Sequence, residues 1–312
     1  MPKSWRGLVA ALLLLVPAAA IAPAMGQTLP PIKVGLGPAV DFLPAFVARD
    51  KGIFAKHGLD VTLQIVPTPS VVPQMLVSDG VQIAYATAPN LLLADEGGLD
   101  LVAIAGGARL VKSNAKISFV TRTGVTVAKA ADLKGRRVGV PGFNSIIDMF
   151  LRKWLMMNNV PVAQVSIVEA PMLQMGDLLK SGQIDAATPI EPIRGRIIAS
   201  GAATRSLDFF SEVNPDVIGS IWMSTRDWAT KHKAEVAAFR ASILDSIAYI
   251  NANPDEARAT EQKDIGFVDP TAMATFATTL DAKDFDFVAK LAVELGVMKQ
   301  PIDAAKLIIP QG

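Results

Sequence analysis

Three short blocks of this chain occur twice, about a hundred residues apart and in the same order. Val34-Gly35-Leu36-Gly37 is answered by Val138-Gly139-Val140-Pro141, and Ile65-Val66-Pro67 by Ile167-Val168-Glu169. The longest match runs from Met75 to Ala84 and lies without a gap over Leu178 to Ala187. A chain that repeats one unit in this way is expected to fold into two similar lobes. Facing lobes leave a cleft, and a cleft is where a small molecule binds.

The repeated unit reads as α/β. Residues 32–36 are a short apolar run stopped by Gly37-Pro38, which predicts a buried strand. Leu43, Phe46 and Val47 then fall on one face of a helix. Strand signals follow at 61–66, 82–86 and 101–105. Ser70 is placed to cap a helix carrying Val72, Met75 and Leu76, and Pro89-Asn90 opens the next helix. In the second copy the strands fall at 117–121, 137–140, 165–168 and 184–187, and the helices at 146–157 and 172–180. Strands alternating with helices predict parallel, doubly wound sheets whose carboxyl ends form one functional edge per lobe.

The expected organisation is a leader over residues 1–26, the first part of lobe 1 over 27–108, lobe 2 over 109–218, and a return to lobe 1 with C-terminal helices over 219–312. The two passages between lobes, near 106–113 and 216–221, predict a two-stranded hinge. The leader rests on Lys3 and Arg6, the apolar run 8–17 and the small-residue exit Ala24-Met25-Gly26, the pattern of a cleaved secretory signal. Its removal brings the formal charge from +1 to −1, with 28 basic against 29 acidic side chains left. Those charges are interspersed, which argues against a nucleic-acid partner. Cysteine is absent, so no disulfide, thiolate metal site, cysteine nucleophile or lipid-anchored cysteine is possible. The two histidines, His57 and His232, are far apart and fit neither a zinc site nor a nucleophile relay. No metal, cofactor or catalytic residue is expected, and Gly35-Leu36-Gly37 lacks the third glycine of a dinucleotide fingerprint.

Several segments together resemble one family. They are Leu43-Pro44-Ala45-Phe46-Val47-Ala48, Lys51-Gly52-Ile53-Phe54, His57-Gly58-Leu59-Asp60-Val61, Leu133 to Val140, and Leu179 to Ala186 followed by Glu191-Pro192. Their order is similar to that of the periplasmic solute-binding proteins of ABC importers, in the nitrate, sulfonate, taurine and pyrimidine-precursor group. The resemblance implies a type II periplasmic binding protein fold: two doubly wound α/β lobes joined by a two-stranded hinge. It also implies a free periplasmic monomer that closes on a small solute and delivers it to the transmembrane subunits of an ABC permease. The alternatives are a pyrimidine-precursor-synthase-like enzyme on the same fold and a ligand-presenting partner of a membrane sensor. The enzyme's signature is a cysteine-rich motif with a reactive histidine, and zero cysteine argues against it.

The candidate ligand-binding residues cluster at the expected cleft edge. Gly37 ends the first strand. Asn144 and Ser145 stand where a helix begins, so free backbone N–H groups there favour an anionic ligand group. Thr68 and Ser70 hold the equivalent place in the first lobe. Phe42 and Phe143 each follow a strand-ending glycine, and their rings are placed to sandwich a flat solute from opposite lobes. Tyr85, Thr87 and Asn90 close the third strand, with Thr188 and Glu191 as counterparts. Glu191 either shapes its loop or, facing the ligand, selects an amine or amide-like N–H. Trp222, at the returning crossing, closes the cleft or is buried. Lys and Arg are sparse at this edge, with only Arg109 and Arg194 nearby, so a monoanionic or neutral organic acid, sulfonate or heterocycle is expected.

Overall fold

The computed structural model describes Met1 and residues 31–205, 207–266, 268 and 273–310. Apart from Met1, the leader expected over 1–26 lies outside the described residues. The strands are β1 (Ile32–Leu36), β2 (Val61–Ile65), β3 (Ile83–Ala86), β4 (Leu101–Gly106), β5 (Ala108–Val111), β6 (Val120–Arg122), β7 (Arg137–Val140), β8 (Ser166–Glu169), β9 (Ala186–Ala187), β10 (Ala203–Arg205), β11 (Asp216–Ile218), β12 (Ile221–Thr225) and β13 (Thr275–Phe276).

They form two five-stranded sheets that mirror the sequence repeat. The order is β2-β1-β3-β12-β4 in one lobe and β8-β7-β9-β6-β10 in the other. Register matches as well as order. Val34 lies opposite Leu63 and Ile83, and its repeat counterpart Val138 lies opposite Ile167 and Ala186. Each sheet departs in one respect from the all-parallel expectation. β12 runs antiparallel to β3 and β4, and β6 runs antiparallel to β9 and β10. Both strands are entered from the other lobe rather than through a helical crossover, and a strand reached without that crossover is free to run the other way.

The passages between lobes meet in a third sheet. β5 pairs antiparallel with β11, and the short β13 adds to its other side. Two glycines let these chains touch. A Cβ on Gly219 would lie 2.5 Å from Leu110 Cγ, and one on Gly107 would lie 2.5 Å from Ser220 Oγ. Arg109 ties the crossing to its surroundings, reaching Asp216 at 2.6 Å and Asp284 at 2.8 Å. Asp284 belongs to the helix Lys283–Glu294.

Each lobe has its own aromatic core. In lobe 1, Trp222 meets Phe42 and Phe239 edge-on, and Phe239 stacks on Phe54. Phe239 comes from the long helix Lys233–Ala252, which covers this lobe. In lobe 2, Phe119, Trp154 and Phe209 pack together, and Phe150 stacks on Phe210 at 4.1 Å. Each such ring removed from water contributes roughly 1.5–3 kcal/mol, so each lobe is stabilised by a core of its own.

Candidate functional site

The carboxyl ends of the central strands face one another across a cavity of about 30 Å³. Lobe 1 contributes Gly37, Asp41, Phe42, Tyr85 and Thr87; lobe 2 contributes Pro141, Ser145, Ile146, Met172 and Ile190. Leu110, Gly219 and Ser220 of the crossing segments also line it. The lining follows the repeat: Gly37, Asp41 and Phe42 correspond to Pro141, Ser145 and Ile146 at the displacement that relates Val34 to Val138. The space takes about two or three waters.

Direct contacts already bridge the lobes. Ser70 Oγ donates to Glu169 Oε1 at 3.0 Å, the Ile146 N–H donates to Thr87 Oγ1 at 3.4 Å, and the Val40 N–H donates to the Glu191 carbonyl at 3.2 Å. Ser70 thus does not cap the following helix. A 3-10 turn, Pro69–Val71, precedes that helix and leaves Val71 at its cap position with no side-chain bond. Thr68 Oγ1 lies 3.0 Å from Ser70 Oγ and supports it from behind.

The start of the helix Ile146–Met157 differs from its expected role. Ser145 caps it, accepting from the Asp148 N–H at 3.5 Å. The Asn144 N–H donates to Asp148 Oδ2 at 2.8 Å, and the Phe143 N–H donates to Glu169 Oε2 at 3.0 Å. Two of the chain's own carboxylates thus stand where an anionic ligand group was expected. Asn144 is also explained by backbone geometry: its φ is +55°, a left-handed turn that asparagine tolerates better than most residues.

The other expected polar contacts are similarly engaged. Thr87 and Asn90 form a capping box, with Thr87 Oγ1 donating to Asn90 Oδ1 at 2.7 Å. Thr188 Oγ1 donates to the Gly139 carbonyl at 3.2 Å. Glu191 is 3% exposed and turned toward its own loop, accepting from Arg194 Nε at 2.6 Å and the Gly195 N–H at 3.0 Å. Arg194 also reaches Ser118 at 3.1 Å. Neither Arg194 nor Arg109 lines the cavity. His57 pairs with Asp245, and His232 stacks on Trp228 and meets Glu235.

The two-ring sandwich across the cleft is not what the structure holds. Phe143 is 42% exposed and off the cavity wall. Both cavity rings come from lobe 1, where Phe42 and Tyr85 meet with centroids 4.5 Å apart. Trp222 is buried behind Phe42, a core residue rather than a lid.

Asp41 is the residue that sequence reasoning missed. It lies in the 3-10 turn Val40–Phe42, is 4% exposed, and its Oδ1 has no hydrogen-bond partner. Burial pushes its carboxyl up to about 7, against the opposing pull of the Lys116 charge. Burial also pushes the Tyr85 phenol upward, with the Asp41 charge adding to it, so Tyr85 stays a neutral hydroxyl. A signal was available in the sequence: Asp41 is the one charge in the otherwise apolar run 39–48.

A family profile described as NMT1/THI5 like matches residues 39–257. The chain belongs to the NMT1/THI5-like family. It is 27% identical over 241 residues to the bicarbonate transport ATP-binding protein CmpC of Synechocystis, covering 70% of this chain and 35% of that one. It is likewise 27% identical over 224 residues to a putative thiamine biosynthesis protein of Haemophilus influenzae, covering 70% of this chain and 67% of the other. The chain thus spans about a third of the first relative and about two thirds of the second. Among solved structures, the alkanesulfonate-binding protein SsuA of Xanthomonas axonopodis pv. citri, bound to MOPS, superposes with a TM-score of 0.76 at 15% identity. That match covers 89% of this chain and 98% of SsuA, and it establishes the periplasmic binding protein fold. Among the described residues no helix is long and apolar enough to cross a membrane.

Proposed function

We propose that this protein is the extracytoplasmic solute-binding component of an ABC importer. It captures a small organic solute between its lobes by closing about the crossing strands, and hands it to a membrane permease. The observation that carries this reading is the cavity at the meeting of two strand-end edges, bordered by segments of both crossings. A ligand that touches both jaws favours the closed arrangement by its differential affinity for it. The names of the relatives support transport: CmpC is described by bicarbonate transport and SsuA by alkanesulfonate binding.

The reading is of a binder and not an enzyme. Ser145, Thr87, Thr188 and Glu191 are engaged in caps and internal bonds, an arrangement that holds shape and leaves no paired nucleophile and base among them. The periplasm is the proposed compartment, reached through the leader over residues 1–26, and the crossing strands are the proposed boundary between lobes.

Thermal-shift screening of the purified exported protein tests the reading. A ligand at a hundred times its dissociation constant adds about 2.7 kcal/mol of stability. A stabilising solute is expected also to reduce the radius of gyration in solution scattering. A broad library of small polar solutes that moves neither quantity would sink it.

A further inference from the structure

Resting on the solute-binding reading, we infer that Asp41 selects the solute: the cleft takes a compact, mostly apolar, neutral molecule presenting an N–H donor to this carboxylate, and it rejects small anions. The first support is the lining. Apart from Asp41, the wall is mainly apolar, with Phe42, Leu110, Ile146, Met172 and Ile190 lining the same cavity. A buried acceptor without a partner destabilises the empty protein, and a donor on a ligand relieves that cost.

The second support is what the neighbours do. Ser145 and Thr87, which share the cavity, are engaged in caps and in the interlobe bond. Tyr85 is the hydroxyl whose titration Asp41 perturbs, and Lys116 is the cation that acts on Asp41 from the start of lobe 2. With Lys116 already opposing Asp41, a neutral donor keeps the local charge balanced, whereas a cation adds a second positive charge. An anion fares worse. It meets Asp41 on one wall, and the Phe143 and Asn144 N–H groups at the helix start are already taken by Glu169 and Asp148.

Charge also sets a direction with pH. Asp41 accepts from an N–H most strongly when ionised, so affinity for such a solute rises as pH increases through about 7. Burial keeps the Tyr85 phenol neutral across that range, so the change follows Asp41.

The test uses two rings that differ by one group. 2-Aminopyrimidine and 2-methylpyrimidine have nearly the same shape, and only the first donates. Calorimetric titration of the full exported protein at pH 8 is expected to give a dissociation constant about 10- to 100-fold lower for the amino ring. Nitrate and ethanesulfonate are expected to be silent. In Asp41→Leu the preference is expected to fall to about one, and in Asp41→Asn, which keeps a neutral acceptor, to an intermediate value. If the leucine variant fails to fold, the asparagine variant carries the test. Equal binding of the two rings by the wild type, or anions binding where the amino ring does not, overturns the proposal. Silence of both rings while another class of solute binds also overturns it, and leaves the solute-binding reading standing. Silence to every solute removes both.

Discussion

Asp41 and Ser145 occupy the same place in two copies of one unit, and they do opposite things. Each lies between a central strand and the helix that follows it, and each lines the cavity. Ser145 is satisfied, capping the helix Ile146–Met157 and holding its first turn. Asp41 leaves one carboxylate oxygen unpaired in an apolar wall. The duplicated scaffold thus supplies two equivalent positions, one paired within its own helix and the other holding an unpaired carboxylate oxygen. Equivalent backbone geometry does not imply equivalent electrostatics, because a side chain's charge and its partners are set locally.

The comparison breaks most visibly at Glu191. Its carboxylate is buried against Arg194 within lobe 2, and removing one partner of a buried pair costs about 3–5 kcal/mol. Glu191→Ala is therefore expected to destabilise the protein by that amount in denaturant unfolding. A value below about 1 kcal/mol would move Glu191 from the structural to the functional side.

Asp41→Asn is expected to act with the opposite sign. The folded protein holds this carboxyl near 7 against an ordinary 3.8. A raised pKa in an acid means the folded state binds its proton more tightly than the unfolded state does. Below about 4 both states are protonated and Asp41 carries no cost; the cost grows from there to about 7 and is complete above it. The asparagine variant is thus expected to be more stable by on the order of 2–4 kcal/mol at pH 8, with the gain vanishing at pH 4. Unfolding of both proteins at the two pH values checks this, and a loss of stability at pH 8 would contradict it.

Ser145→Ala tests the other member of the pair. Losing an N-cap is expected to cost about 1 kcal/mol at both pH values, since no titrating group is removed. Smallest of all is Ser70→Ala. It removes the solvent-exposed bond to Glu169 across the cleft, a contact worth about 0.5 kcal/mol at the low end for a hydrogen bond, and is expected to shift the empty protein toward the open form in solution scattering.

Much of this architecture was legible in the repeat. The blocks beginning at Val34 and Val138 became the central strands of matching sheets, and the helix expected at 146–157 spans those residues. Residue types did not reveal direction. β6 and β12 run against their neighbours because of where the chain enters each sheet, a tertiary fact with no local pattern. The site was legible in part. Gly37, Phe42, Tyr85, Thr87 and Ser145 reach the cavity. Thr68, Ser70, Asn90, Phe143, Asn144, Thr188, Glu191 and Trp222 stand off its wall, several of them bonded to near neighbours. A hydroxyl or carboxylate looks the same in sequence whether it caps a helix or faces a ligand. Asp41 belongs to no motif, and its only signal is a lone charge among apolar neighbours.

The most direct measurement is a carbon-13 NMR titration of the Asp41 carboxyl, assigned by comparison with Asp41→Asn. In the empty protein the midpoint is expected near 7, and it is expected to move down when 2-aminopyrimidine binds and to stay in place with 2-methylpyrimidine. A midpoint in the ordinary carboxylate range in the empty protein, or one that the amino ring leaves unmoved, would contradict the account.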